Sequence, residues 1–157
     1  MKIRTLSFHE MKRVRPQLIR FIRRHGDGRI THRAIRWFQQ LIQESWNEGM
    51  IVAATLDKNI ITGLIVLGNY GLDESFIAVH PSYRKQKIGE TLLQHALHRL
   101  GKIYTRVACD NTPSLKLCFA CGLTAFQLTY GPTKKPTLWL GGGAWSRRDL
   151  EEKLLRQ

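Results

Sequence analysis

Phe76-Ile77-Ala78-Val79-His80-Pro81-Ser82-Tyr83-Arg84-Lys85-Gln86-Lys87-Ile88-Gly89-Glu90-Thr91 begins as a buried strand, breaks at Pro81, passes through a basic loop and opens a helix. Proline has no N–H to give to a ladder, so the strand stops there. The first turn of the next helix carries unsatisfied backbone N–H groups and roughly half a positive charge, a setting that holds phosphate. The stretch predicts a strand-loop-helix anion cradle.

Downstream, Leu92, Leu93, Ala96, Leu97 and Leu100 put an apolar stripe on that helix before Gly101, and Lys102 to Cys109 form a fifth strand. Thr112-Pro113-Ser114 starts a short helix that Gly122 ends. Leu123 to Leu128 and Thr137 to Leu140 begin two further strands, the second ahead of a Gly141-Gly142-Gly143 hinge, and residues 146 to 156 make a terminal helix. Upstream, Lys2 to Phe8 form a first strand, with a helix carrying Met11, Val14, Leu18, Phe21 and Ile22 on one face. Past the Gly26-Asp27-Gly28 break, Thr31 caps a second helix whose stripe runs Ala34, Trp37, Phe38, Leu41, Ile42 and Trp46. Met50 to Leu56 and Ile60 to Leu67 are a hairpin, and Leu72 to Val79 the fourth strand. This order indicates an α/β (α+β) domain over residues 1–157, mostly antiparallel, with a parallel pair where a helix crosses over.

A chain of 157 residues with 43% apolar content buries a core without disulfides or structural metal. Cys109, Cys118 and Cys121 suit a reducing compartment; Cys118 and Cys121 lie within a helix and lack a second pair, so no metal site is expected. Neither a bilayer-length apolar run nor the apolar core of a signal peptide is present, and the expected location is cytoplasmic. The formal charge of +13 favours polyanionic partners. From Lys12 to Arg36 there are nine Lys or Arg against one acid, Asp27.

Ala78-Val79-His80-Pro81 followed by Arg84-Lys85-Gln86-Lys87-Ile88-Gly89 resembles the GNAT superfamily of acyl-CoA-dependent N-acyltransferases, whose members carry a small-Val-x-Pro strand end and then Arg or Gln-x-x-Gly-x-Gly or Ala. Lys87 stands where the family usually has its first glycine. A second block matches as Asn111, Ser114, Cys118 and Gly122, with Cys118 in place of the family's tyrosine. The resemblance covers nearly the whole chain in element order and is sharpest from Leu72 to Leu123. It implies a mixed, mostly antiparallel central sheet of six to seven strands with about four helices.

It also implies a reaction: direct attack of a neutral primary amine on acetyl-CoA in a ternary complex, without a metal. The fourth and fifth strands would splay to receive the pantetheine arm as an added strand. Ile77, Ala78 and Val79 would line that arm, with a backbone N–H near Val79 stabilising the oxyanion. Arg84 and the backbone N–H groups of Lys85, Gln86, Lys87, Ile88, Gly89 and Glu90 would hold the pyrophosphate, Lys87 adding an ammonium; Asn111 and Ser114 would meet the cofactor arm. Cys118 is the candidate acid or else a small apolar filler, and Asp73 and Glu74 are candidate bases. The acceptor, a small-molecule or peptide amine, is expected to bear acidic groups steered by Arg20, Arg24 or Arg33, the enzyme being monomer or homodimer. Two alternatives stand: a CoA-binding protein of this fold without catalysis, and a polyanion- or nucleic-acid-binding module. Against the module, Trp37 and Phe38 fall on the apolar stripe and no nucleic-acid-binding motif appears.

Overall fold

The computed structural model describes residues 1–131 and 134–156. Strand β1 (Lys2–Thr5) precedes helices α1 (Phe8–His25) and α2 (His32–Gln39), and β2 (Ile51–Asp57), β3 (Ile60–Gly68) and β4 (Glu74–Val79) follow. Then come α3 (Ile88–Leu100), β5 (Lys102–Ala108), α4 (Thr112–Ala120), β6 (Thr124–Tyr130), β7 (Pro136–Gly143) and α5 (Arg147–Leu155). This is the order expected from sequence.

Local chemistry sets the boundaries. Ser7 accepts from the Glu10 N–H while the Glu10 carboxylate accepts from the Ser7 N–H, a capping box that starts α1. Thr31 caps α2 through the Ala34 N–H at 3.1 Å. The apolar stripe of α2 overreaches in the sequence reading: the helix stops at Gln39, and Ile42 is 56% exposed. Its end is held from outside, since the Arg15 guanidinium of α1 donates to the carbonyl oxygens of Gln39 and Leu41. Lys58 and Asn59 both take positive φ in the β2–β3 turn, the backbone that a two-residue hairpin needs.

Two antiparallel sheets result, β1-β2-β3-β4 and β5-β7-β6. One core lies between the first sheet and α1 and α2, with Phe38, Val52, Leu64 and Phe76. A second joins its other face to α3 and the second sheet through Ile65, Leu92, Ile103 and Leu140. The expected glycine hinge is instead strand: Gly141, Gly142 and Gly143 pair with Tyr104, Ile103 and Lys102. A Cβ on Gly141 would lie 2.6 Å from the Trp145 ring, so glycine there lets the indole lie on the strand.

The parallel pair expected at the α3 crossover does not form. Among the described residues β4 and β5 share no ladder, and each closes a separate sheet. Their start is pinned at Gly71, where φ is 99° and a Cβ would meet the Tyr104 carbonyl oxygen at 1.8 Å. Beyond it a side-chain bond, Ser75 Oγ to Thr105 Oγ1 at 2.9 Å, takes the place of backbone pairing. The strands therefore stand close at one end, with edge groups of β4 left for something other than β5.

Candidate functional site

The phase of the β3–β4 ladder decides which backbone groups face the opening. His80 N–H donates to Thr62 O at 2.8 Å, so residues 80, 78 and 76 bond to β3. Alternation along an antiparallel strand then turns the N–H and C=O of Val79, Ile77 and Ser75 toward β5. A cleft of about 790 Å³ runs from these strands to the first turn of α3, within the range of small-ligand sites. It continues into a pocket of about 190 Å³ between β4 and β5, with Ile77, Asn111, Ser114 and Leu117 on the walls of both.

Most of the residues expected to hold the cofactor meet here. Ile77, Ala78, Val79, Arg84, Lys85, Lys87, Ile88, Gly89, Glu90, Asn111 and Ser114 line the larger cleft; Gln86 is exposed and does not. Asn111 caps α4, its Oδ1 reaching the Ser114 N–H at 3.5 Å, which leaves its NH₂ unpaired among the described residues. Gly122 has φ 83°, and the Leu123 N–H reaches back to Cys118 O at 3.0 Å, so the helix ends in a left-handed closure at the expected residue.

Lys87 keeps the backbone that a glycine would supply. It caps α3 at φ 58°, ψ 30°, and Lys85 stands at φ 75°. A side chain in this region costs about 1–2 kcal/mol, so the loop is held against local preference. The Lys87 carbonyl is fixed by two donors of Thr91, the backbone N–H at 3.0 Å and the hydroxyl at 2.9 Å. Lys87→Gly is expected to raise stability by up to about 1 kcal/mol, and Lys87→Ala to leave the strain in place. Both should weaken acetyl-CoA by about tenfold or less if the ammonium meets phosphate. Thermal melts and calorimetry on the pair separate strain from charge.

The two candidate bases part company. Asp73 meets Lys153 Nζ at 3.4 Å, accepts from Asn69 Nδ2 at 3.3 Å, and borders a different groove beside Trp37 and Gly68. Glu74 is half-buried at the start of β4, on the α1–α2 face with Phe76 and Ala78, and like Asp73 it lines neither the cleft nor the inner pocket. Burial raises its carboxyl above the ordinary range against the opposing positive charges of Arg106, Arg33 and Lys153; Asp73 adds to the rise. Cys118 lines the inner pocket at 4% exposure, and burial first, then Cys121, pushes its thiol up to about 12. None of the three arginines expected to steer the acceptor, Arg20, Arg24 and Arg33, lines either cavity; Arg33 alone acts on Glu74 by its charge.

The connection between α1 and α2 also belongs to the site, a part the sequence presents only as a helix break. His25, Gly26, Asp27 and Arg29 wall the cleft opposite α3 and α4. Asp27 pairs with Arg84 at 2.7 Å and Arg29 with Asp110 at 3.0 Å, tying this turn to both rims. Burial, then His80 with its ring 4.5 Å away, pushes the His25 imidazole below its usual range. Arg106, its guanidinium over the Trp139 ring at 5.2 Å, also lines the inner pocket and carries no motif signal.

Known proteins of similar structure share this architecture. The ribosomal-protein-S18-alanine N-acetyltransferase of Escherichia coli superposes with a TM-score of 0.65 at 17% identity, covering 92% of this chain and 94% of that one. A point mutant of the spermidine N-acetyltransferase of Vibrio cholerae gives 0.63 at 16%, covering 91% and 95%. An aminoglycoside 6'-N-acetyltransferase complexed with coenzyme A gives 0.64 at 17%, covering 94% and 99%. No curated protein sequence matches the chain. The family model for the acetyltransferase (GNAT) family matches residues 17–123, a span holding β4, the basic loop, α3, β5 and α4. The chain belongs to the GNAT acetyltransferase family.

Proposed function

We propose that the protein is an N-acetyltransferase that moves the acetyl group of acetyl-CoA to a primary amine by direct attack in a ternary complex. The observation that carries this reading is the missing β4–β5 ladder above a cleft that ends at the N-terminus of α3. Bound acetyl-CoA supplies an activated thioester. The backbone N–H groups at the start of α3 suit the pyrophosphate, with Arg84, Lys85 and Lys87 around it. Val79 and Ile77 offer edge groups to an extended arm, and the Val79 N–H suits a developing oxyanion.

Glu74 is the base of this proposal, because a raised carboxyl accepts a proton from an ammonium more readily than an ordinary one. Cys118 serves as a wall. A thiol pushed up to about 12 is a weaker acid than an ordinary thiol near 8.5, so full proton transfer to a departing thiolate runs uphill by about three powers of ten. Cys118→Ala is expected to keep kcat within about fivefold and to create a small cavity costing about 1 kcal/mol. A loss of about 10² or more in kcat would return the acid role to this thiol.

The acceptor is an amine that bears acidic groups. Arg29 and Arg106 line the inner pocket and Arg33 acts on Glu74, so the amine end of the site sits in a positive field. The structural neighbours are named for a protein alanine, spermidine and aminoglycosides as the acceptors of those enzymes. Polycations of the last two kinds are repelled by a chain of formal charge +13. Arg106→Glu is expected to raise KM for an acidic amine by about tenfold and leave acetyl-CoA affinity within about twofold. Equal loss of both would place Arg106 at the cofactor instead.

Calorimetry with acetyl-CoA, then thiol release across acidic, neutral and cationic amines, tests the whole reading. Absence of binding at millimolar cofactor overturns it. Tight binding with silence against every amine would leave a CoA-binding role without catalysis, a reading that Cys118 in place of the family's tyrosine favours.

A further inference from the structure

The outer face of α1 is not used by the acetyl-transfer site. Lys12, Arg13, Arg20, Arg23 and Arg24 are all exposed, and at helical spacing they share an arc about 120° wide over about 18 Å of axis. None of them meets a carboxylate among the described residues. The only acid on α1, Glu10, is taken up by Arg4 and the Ser7 N–H. Helix α5 shows how an ordinary solvated face is balanced in the same molecule: Arg148 pairs with Glu152, Asp149 with Lys102 and Lys153 with Asp73. On α1, by contrast, Arg20 lies one turn from both Arg23 and Arg24, a like-charge arrangement that costs about 0.2–0.5 kcal/mol per pair in a free helix.

We propose that this face of α1 docks on the phosphate backbone of a nucleic-acid duplex without reading its sequence. A line of cations on a rigid helix suits a regular array of phosphates, one charge per roughly 1.7 Å of duplex axis. The exposed arc holds no Phe, Tyr or Trp, and its one ring is the small imidazole of His9 at the start of the helix, which favours a duplex over a single strand. Met11, Leu18, Phe21 and Ile22 face the core, so α1 has no apolar side left to enter a membrane. Docking there leaves the cleft open, because none of the five cations lines it.

Fluorescence anisotropy of the full chain on a mixed-sequence DNA duplex, titrated over a range of salt, tests the proposal. Affinity should fall with salt at a log–log slope of about −4.5, near −0.9 for each of the five cations. The triple variant Lys12→Gln, Arg13→Gln, Arg23→Gln should flatten that slope by about 2.7 and weaken low-salt binding more than tenfold. Its acetyl-CoA affinity, unchanged, would show that the fold is intact. Arg148→Gln on α5 with Arg156→Gln at its C-terminal cap should leave duplex binding as it was. A flat salt response, a triple variant that binds as the parent does, tighter binding to single-stranded DNA or anionic vesicles, or displacement by polyglutamate at equal charge would each overturn it.

Discussion

Replacing Glu74 by glutamine is expected to cut kcat/KM for the accepted amine by about 10²- to 10³-fold and to leave acetyl-CoA affinity within about twofold. The carboxyl stands on the α1–α2 side of β4, one residue before Ser75, whose bond to Thr105 closes the strand gap. Burial raises it, and Arg106, Arg33 and Lys153 only partly oppose that rise. In the parent, kcat/KM should climb with pH as Glu74 ionises, above the ordinary carboxylate range; glutamine should remove that limb. Stability moves the other way. A carboxyl with a raised pKa binds its proton more tightly folded than unfolded, so its contribution is greatest in acid and falls as pH rises from the ordinary range through the raised value. Above that window the ionised group is a cost, which glutamine does not carry, so the variant should melt no lower than the parent at neutral pH. A slow variant that keeps the acid limb would move the base elsewhere.

The elements that carry the fold were legible because each combined a pattern with a local stop. Val79-His80-Pro81 ends β4, Gly101 and Gly122 end α3 and α4 at left-handed residues, and Thr31 caps α2. Where a boundary is set across space the sequence was silent. Arg15 ends α2 from another helix, and pairing with Tyr104, Ile103 and Lys102 of β5 makes a strand of what read as a glycine hinge. The candidate site divides the same way. The half proposed for the cofactor sits on one contiguous stretch and a second at fixed spacing, so motifs single out residues that the fold brings into one cleft. The half proposed for the acceptor draws on the α1–α2 turn and Arg106 on β5, which line one pocket, and on Glu74, on which Arg106 acts by charge, three separated places joined only by tertiary packing. Asp73 and Glu74 are adjacent in sequence, but the strand pleat and the Lys153 contact separate them.

Gly89→Asp is expected to weaken acetyl-CoA by about 100-fold, close to 2.7 kcal/mol, without unfolding the protein. Gly89 follows Ile88 in the first turn of α3, where N–H groups have no partner inside the helix, and it lines the cleft. A Cβ there would meet only the Leu117 side chain, Cδ2 at 3.2 Å and Cδ1 at 3.4 Å, and side-chain ends give way more easily than backbone. The carboxylate itself favours a helix N-terminus by about 0.3–1 kcal/mol, so the variant should melt at or above the parent. That same attraction occupies the positive end proposed to hold the pyrophosphate, and the new charge repels it. Gly89→Ala adds the Cβ alone and should weaken binding by about tenfold or less. Equal losses for aspartate and alanine would mean that shape, not charge, governs this turn. No loss in either would move the phosphates away from α3 and remove the cradle from the mechanism.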